Sequence, residues 1–310
     1  MTELGRVVLD EATAAALLPV RDPRGHKGTF GRVVVVAGSL DYAGAALMAG
    51  SAALRAGSGL VSLYLPSSLQ PLLAGRVPEL ITHGLPEVAP FEVDPVAAAA
   101  DVAEADADAL LLGPGLATGR ATVELTRALL AQPGPPTVVD AGALFALSRL
   151  PRWWTRVERP LVLTPHPGEF ARLGRSVSDD DDARRAAALE AAAQWGVTLV
   201  LKGAGTVVAG DGRALVAPFE VPALGTGGSG DVLAGVITSL LGQGLGPFEA
   251  AALGVYLHAR AGEEISGRLG DAGLMATDLL PEIPRIRRDL ALAARGRGAL
   301  GFGAPAGSPS

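Results

Sequence analysis

The chain contains no cysteine, which excludes disulfide bonds, thiolate zinc sites and cysteine nucleophiles. Its four histidines show no HExxH or similar metal-ligand spacing. No apolar stretch reaches the roughly 18 residues that a membrane-spanning helix needs. Residues 1–15 mix acidic, basic and apolar side chains, unlike the basic-then-apolar order of a secretory signal. We therefore expect a cytoplasmic protein without a membrane segment.

Aromatic residues and positive charge are also scarce. Aromatic side chains make up 4% of the 310 residues, so Ala, Val and Leu must form most of the core. The 26 basic residues are outnumbered by 32 acidic ones, which gives a net charge of −6. This balance disfavours nucleic acids and anionic membranes as partners. An anionic small molecule would have to be held locally, by backbone N–H groups and a few cations.

Short apolar runs alternate with longer Ala-rich stretches. This pattern predicts an α/β fold with three layers, α/β/α, around a mostly parallel sheet. We predict one domain over residues 1–294 and a disordered tail over residues 295–310, which are rich in Gly, Ala, Pro and Ser. Strands are predicted at 32–37, 60–65, 109–112, 137–139, 161–163 and 198–201, a hairpin at 206–217, and helices at 44–56, 122–131, 180–195, 232–241 and 247–257.

The glycine-rich loop at residues 225–231, with the sequence GTGGSGD, is the most informative stretch. An apolar segment with helical periodicity follows it, so the backbone N–H groups of the loop and the helix start favour a bound phosphate. Asp231 places one carboxylate beside that phosphate, as phosphoryl transfer requires. The alternative is a plain turn in which Asp231 caps the helix.

Other polar segments follow predicted strands, at the edge where ligands bind in such sheets. Lys202 to Thr206 can clamp nucleotide phosphates or form a simple glycine turn. His166 and Glu169 are held by two prolines, either for a ligand or to cap the next helix. The glycines at 113–115 allow close backbone approach to a ligand.

Three further features have simpler interpretations. We expect Asp140 to cap a helix rather than to contribute a charge near the site. His258 falls within a helical stretch and is predicted to be a partly buried histidine with satisfied hydrogen bonds. Trp153 and Trp154 are predicted to pack at the surface or at an interface.

Taken together and in chain order, these segments resemble the ADP- or ATP-dependent NAD(P)H-hydrate dehydratase family, which has the ribokinase-like fold. The strings TPHPGE at 164–169 and GTGGSGDVLAG at 225–235 are the most specific, and the resemblance covers residues from about 20 to about 290. The resemblance implies repair of NADHX and NADPHX, cofactors that carry water across a double bond of the nicotinamide ring. The ring hydroxyl would be phosphorylated from ADP, the donor of most bacterial members, or from ATP, and phosphate would then leave.

The resemblance also implies a role for each matching residue. Asp231 would accept the hydroxyl proton and contact the substrate, and Glu169 would serve Mg²⁺ through water. The remaining implied positions are substrate contacts at Ala45, Gly115 and His166, nucleotide contacts at Lys202, Gly203, Ala204, Gly205, Thr206 and Gly230, and an anion hole at Gly227, Gly228, Ser229 and Gly230.

The family suggests a homotetramer. Many of its members carry an epimerase domain for which this sequence has no room, so we expect the epimerase to be a separate chain.

Two alternatives stay open: a ribokinase-like vitamin-precursor kinase, and a nucleotide-binding regulator without activity. TPHPGE disfavours the kinase, and the complete glycine loop with Asp231 disfavours the regulator. The sequence does not decide between ADP and ATP or between NADHX and NADPHX.

Overall fold

The computed structural model describes residues 7–178 and 180–300. Within them, a sheet of ten strands and a separate two-stranded sheet are flanked by helices. The strands are β1 (Val7–Val8), β2 (Arg32–Val36), β3 (Leu60–Pro66), β4 (Ile81–Leu85), β5 (Glu87–Ala89), β6 (Glu92–Val93), β7 (Ala109–Leu112), β8 (Thr137–Val139), β9 (Leu161–Leu163), β10 (Thr198–Leu201), β11 (Val207–Gly210) and β12 (Arg213–Val216).

The helices lie on both faces of the large sheet, which confirms the predicted three-layer architecture. They are α1 (Glu11–Leu17), α2 (Ala43–Arg55), α3 (Gln70–Leu73), α4 (Pro95–Ala103), α5 (Arg120–Leu130), α6 (Ala141–Ser148), α7 (Pro167–Arg172), α8 (Asp181–Trp195), α9 (Ser229–Gly242), α10 (Pro247–Leu269) and α11 (Leu279–Leu300).

The large sheet has the strand order β1-β12-β11-β10-β9-β8-β7-β2-β3-β4. All neighbouring pairs are parallel except the two that involve β11, which is antiparallel to β10 and to β12. The mostly parallel sheet that we predict is therefore confirmed. The carboxyl ends of β10, β9, β8, β7 and β2 lie side by side along one edge, where their following loops meet.

Two apolar cores lie on opposite faces of this sheet. In β2, Val33 and Val35 face the core formed with α2, α9 and α10, whereas Val34 and Val36 face the core formed with α5, α6 and α8. This alternation follows from the two-residue period of a strand. Because both faces are covered, the strand reads as an unbroken run of valines.

The predicted strands agree with the observed ones to within about one residue at each end. Helix α10 continues to Leu269, beyond the predicted end at residue 257. Helix α11 includes the first residues of the segment predicted as a tail, 295–300, and residues 301–310 lie outside the described part of the chain. No helix among the described residues is long and apolar enough to cross a membrane.

The prediction for Trp153 is wrong. Its side chain is 5% exposed and packs against Trp195 of α8, with ring centroids 5.6 Å apart. The short 3₁₀ helix that carries Trp153 and Trp154 folds back over the core on the α8 face, so the first ring is enclosed and only the second remains partly exposed.

Candidate active site

A buried ion pair joins the ends of β8 and β10. The Lys202 ammonium lies 3.1 Å from a carboxylate oxygen of Asp140 and 3.7 Å from one of Glu169. Burial acts to lower the pKa of Lys202, but the charges of Asp140, Glu169 and Asp231 outweigh it, so that this pKa is raised. Lys202 is therefore a permanent cation at neutral pH.

We predict that the Asp140 side chain caps a helix, and this prediction is wrong. Asp140 occupies the residue before α6, but its side chain makes no capping hydrogen bond. The carboxylate is 2% exposed and accepts a hydrogen bond from Lys202 instead. A buried carboxylate needs a partner of opposite charge more than a helix start needs a cap, because an unpaired buried charge costs several kcal/mol.

His166 and Glu169 cap α7, and Glu169 also faces the ion pair. The His166 ring nitrogen Nδ1 accepts a hydrogen bond from the N–H of Gly168, at 3.0 Å. Glu169 accepts one from the N–H of His166, at 2.9 Å. This reciprocal capping box fixes the turn, and it leaves the 8% exposed Glu169 carboxylate beside Lys202. The capping interpretation is thus confirmed.

Asp231 lies in the first turn of α9, as its third residue. The residue that caps this helix is Gly228, so the alternative in which Asp231 is the cap is wrong. Burial, followed by the negative charge of Asp140, raises the pKa of Asp231 to about 7, although Lys202 opposes the rise. A carboxyl group with this pKa is suited to accept a proton near neutral pH.

The backbone at the start of α9 is held from two sides. Gly228 has φ +90°, and a Cβ there would lie 2.5 Å from Met48 Cε, so only glycine fits without strain. The ring nitrogen Nε2 of His258 donates to the carbonyl oxygen of Ser229, at 3.0 Å, and lies 3.1 Å from its hydroxyl oxygen. The helix start is therefore rigid, with the positive end of its dipole toward the site.

His258 is buried and hydrogen-bonded, as predicted. Burial lowers its pKa to about 4, so the ring is neutral at physiological pH. Its hydrogen bond to the carbonyl oxygen of Ser229 requires that Nε2 carry the proton.

Two cavities meet at the start of α9. The larger, cavity I, has a volume of about 670 Å³, and Gly230 lines it. The smaller, cavity II, has a volume of about 540 Å³, and Asp231 lines it. Consecutive residues of one helical turn therefore face two separate binding spaces.

Cavity I contains most of the residues that we predict to bind a nucleotide. Its polar end is formed by the β10–β11 loop and its apolar part by side chains from the segment after β12 and from α10. The predicted residues that line it are Lys202, Gly203, Ala204, Thr206, Ser229 and Gly230, together with His166. Gly205, Gly227 and Gly228 are not among its lining residues.

Cavity II contains Ala45 and Gly115, two of the predicted substrate contacts, together with Glu169. Gly115 has φ +65°, and a Cβ there would lie 2.5 Å from the carbonyl oxygen of Tyr42, so this wall is closely packed. The third predicted contact, His166, lines cavity I instead. The turn from His166 to Glu169 lies between the two cavities, because His166 lines cavity I and Glu169 lines cavity II.

The residues of cavity II that the predicted site does not include comprise Tyr42, Phe145, Arg149 and Arg172. Phe145 and Arg149 lie four residues apart on and just after α6, and this helix was not predicted. Their spacing would have indicated a shared helical face, but only the packing of α6 shows which space that face lines.

Comparisons with known proteins show which family this chain belongs to. A family model described as NAD(P)H-hydrate dehydratase matches residues 33–285. The ADP-dependent (S)-NAD(P)H-hydrate dehydratase of Xanthomonas campestris is 41% identical over 281 residues, which is 88% of this chain and 94% of that protein. The bifunctional NAD(P)H-hydrate repair enzyme of Moorella thermoacetica is 44% identical over 92% of this chain. This chain spans about half the length of that enzyme, 54%.

Among solved structures, the ADP/ATP-dependent NAD(P)H-hydrate dehydratase of Bacillus subtilis, co-crystallised with ATP and Mg²⁺, has a similar fold. It matches with a TM-score of 0.80 at 33% identity, over 93% of this chain and 99% of that one. Likeness of this extent confirms the predicted ribokinase-like fold.

Proposed function

Because this chain belongs to the NAD(P)H-hydrate dehydratase family, we propose that it restores NADH and NADPH from their hydrates by nucleotide-dependent dehydration. The observation that carries the proposal is the position of two consecutive residues at the start of α9. Gly230 lines cavity I and Asp231 lines cavity II. A phosphoryl group bound at this helix start is within reach of both cavities.

Cavity I suits an adenine nucleotide. Its apolar part, which includes Phe219, Val221 and Leu224, offers a surface for a base, and its other end carries Lys202 and the helix start. The Lys202 ammonium lies near Gly230, since a Cβ on that residue would be 3.3 Å from Nζ. The cation and the N–H groups of α9 then stabilise the negative charge that develops on the transferring phosphoryl group.

Cavity II suits the hydrated nicotinamide ring, with its hydroxyl group toward Asp231. The Asp231 carboxylate accepts the hydroxyl proton while the hydroxyl oxygen attacks the terminal phosphoryl group of ADP, and AMP leaves. Hydroxide is a poor leaving group, whereas phosphate is a good one. The ring nitrogen then expels phosphate, and loss of a proton from the neighbouring ring carbon restores the double bond.

We propose Mg²⁺ as a cofactor, bound through the nucleotide phosphates and, by way of water, through Glu169. The described residues hold no cluster of three or more metal-ligating side chains. Mg²⁺ at phosphoryl-transfer sites needs only one or two carboxylates besides phosphates and water, and Glu169 and Asp231 both line cavity II. The oxygen donors present therefore fit the ion, which would neutralise phosphate charge during the transfer.

The family name leaves the phosphoryl donor open, and ADP is our proposal because relatives at 41% and 39% identity are named ADP-dependent. The purified protein is mixed with NADHX, Mg²⁺ and either ADP or ATP, and the return of NADH absorbance is followed. We expect recovery that depends on nucleotide and is faster with ADP. Recovery only with ATP would overturn the choice of donor, and no recovery with either would overturn the function.

We further propose a cytoplasmic homotetramer that works with a separate epimerase. Bifunctional repair enzymes among the relatives support a functional link to a second repair activity. The exposed apolar side chains of Leu40, Tyr42 and Leu72 support an association surface. Light scattering of the purified protein tests the tetramer directly, and a monomeric mass would exclude it.

A further inference from the structure

We propose that Arg149 and Arg172 form the binding site for the phosphate groups of the dinucleotide substrate. Both arginines line cavity II, the cavity that also holds Asp231. The inference rests on the proposed function, because it extends the substrate site from the ring to the rest of the molecule.

The two arginines occupy equivalent places on two helices. Along α6, residues Ala141, Phe145 and Arg149 line cavity II at intervals of four residues, so they form one face. This face starts next to Asp140 in the buried charge cluster and ends at the exposed Arg149. At a rise of about 1.5 Å per residue, the Cα atoms of Ala141 and Arg149 are separated by about 12 Å along the helix axis.

Helix α7 repeats this arrangement over a shorter length. Glu169 and Arg172 are three residues apart and both line cavity II. Glu169 is 8% exposed and faces Lys202, whereas Arg172 is exposed. Each helix thus has a buried end beside the reacting groups and an arginine at the opening of the cavity.

Within the described part of the chain, neither guanidinium has a carboxylate within ion-pair distance. Arg175, three residues after Arg172, does have one, in Glu190 at 2.7 Å. Arg149 instead lies over the Phe145 ring, with its Cζ 4.9 Å from the ring centroid. Stacking on an aromatic face restrains the guanidinium and leaves its N–H groups free to donate in the ring plane.

The chemistry of the substrate matches this layout. The hydrated ring must lie next to Asp231, and the phosphates of a dinucleotide are separated from that ring by a ribose. A dinucleotide therefore places anionic oxygens at a distance from the reacting carbon, toward the opening of the cavity. Unpaired arginines are the side chains best suited to bind phosphate oxygens, often through two parallel hydrogen bonds.

The test compares Arg149→Gln and Arg172→Gln with Arg156→Gln, a matched loss of one exposed charge that lines neither cavity. We expect the KM for NADHX to rise roughly tenfold or more in each of the first two variants, as for loss of a hydrogen bond to a charged group. The kcat should change less than about threefold, and the KM for ADP should not change. Arg149→Lys and Arg172→Lys should restore part of the affinity.

Two substrates distinguish the possible sources of the phosphate. An equal loss for NADHX and NADPHX supports contact with the bridging pyrophosphate. A loss confined to NADPHX supports contact with its additional ribose phosphate. A KM change no larger than that of Arg156→Gln for either substrate would overturn the proposal.

Equilibrium binding of NADH and NADPH, the products, separates this proposal from the proposed function. If the wild-type protein shows no turnover, the function fails, but binding still tests the arginines. Binding to the wild type that weakens in the two variants supports the phosphate site. Absence of binding to the wild type, or binding that the variants leave unchanged, overturns it. Circular dichroism and the Tm verify that each variant is folded.

Discussion

The carboxylate of Asp140 and the ammonium of Lys202 lie 3.1 Å apart, although their strands are separated by β9. Each follows the carboxyl end of a parallel strand, so the sheet itself brings them together. The pair places a cation beside the start of α9. The Asp140 charge is also the second-largest cause of the raised pKa of Asp231, after burial.

Removing that charge should change both stability and the pH profile. Asp140→Asn removes the nearest carboxylate from Lys202 and leaves the more distant Glu169 and Asp231. Breaking a buried ion pair costs about 3 kcal/mol or more. The pKa of Asp231 should fall, because Asp140 raises it. We expect a lower free energy of unfolding in urea and a pH–rate midpoint at lower pH.

Glu124→Gln is the control for that variant, since it removes the carboxylate of a surface pair with Arg127. Exposed pairs contribute at most about 1 kcal/mol, so this change should leave both measurements nearly unaffected. If Asp140→Asn behaves in the same way, the buried pair has neither of the roles that we assign to it.

Asp231→Asn should abolish most turnover without affecting nucleotide binding. The amide has nearly the same shape but cannot accept the hydroxyl proton, and loss of a general base costs about 10²- to 10⁴-fold in rate. Asp231 lines cavity II and is not among the residues that line cavity I. The Kd for ADP, measured by calorimetry, should therefore remain within about threefold. A variant that retains turnover would exclude Asp231 as the base.

The raised pKa of Asp231 predicts the pH dependence of the wild-type enzyme. Only the carboxylate form accepts a proton, and burial raises its pKa to about 7. Below this value kcat/KM should fall about tenfold for each pH unit, and above it the rate should level off. The measurement is kcat/KM for NADHX between about pH 5 and about pH 9. A midpoint near the ordinary aspartate value of about 4 would show that the cluster does not raise this pKa.

Two glycines of α9 should respond in opposite ways to alanine. At Gly230 a Cβ would face Lys202 Nζ, 3.3 Å away, in the space that we assign to the phosphoryl group. At Gly235 it would lie 2.2 Å from the carbonyl oxygen of Ala49 in α2, where the two helices pack. Gly230→Ala should weaken ADP binding at nearly unchanged stability, and Gly235→Ala should destabilise the fold by about 1–3 kcal/mol. Calorimetry and urea unfolding measure the two effects, and the reverse pattern would contradict our assignment of α9.

The strands that the sequence does predict are apolar runs that end at a glycine or a polar residue. Helix α11 was not predicted, although Ile283, Ile286 and Leu290 are buried on one face of it. Five charged residues from Glu282 to Asp289 obscure that pattern. Strand β4, at one edge of the sheet, was missed because Leu85 is its single buried residue, so that it forms no continuous apolar run.

The parts of the site that the sequence predicts are those with a local signature. The glycine loop before Asp231 and the segment after Lys202 are examples, and both contribute residues to cavity I. The partner of Asp140 is 62 residues away in sequence, and a carboxylate before a helix has the same local appearance whether it caps the helix or pairs with a distant lysine. The arginines of cavity II depend in the same way on how α6 and α7 pack.

The stoichiometry of a single reaction tests the central claim most directly. NADHX, ADP and Mg²⁺ are incubated with the enzyme, and NADH, AMP and inorganic phosphate are quantified together. We predict one AMP and one phosphate for each NADH formed, with all three formed at least about a hundredfold more slowly in Asp231→Asn. Return of NADH without consumption of nucleotide would contradict the phosphorylation step. No return of NADH, alongside phosphoryl transfer from ATP to a vitamin-precursor alcohol, would identify a small-molecule kinase instead.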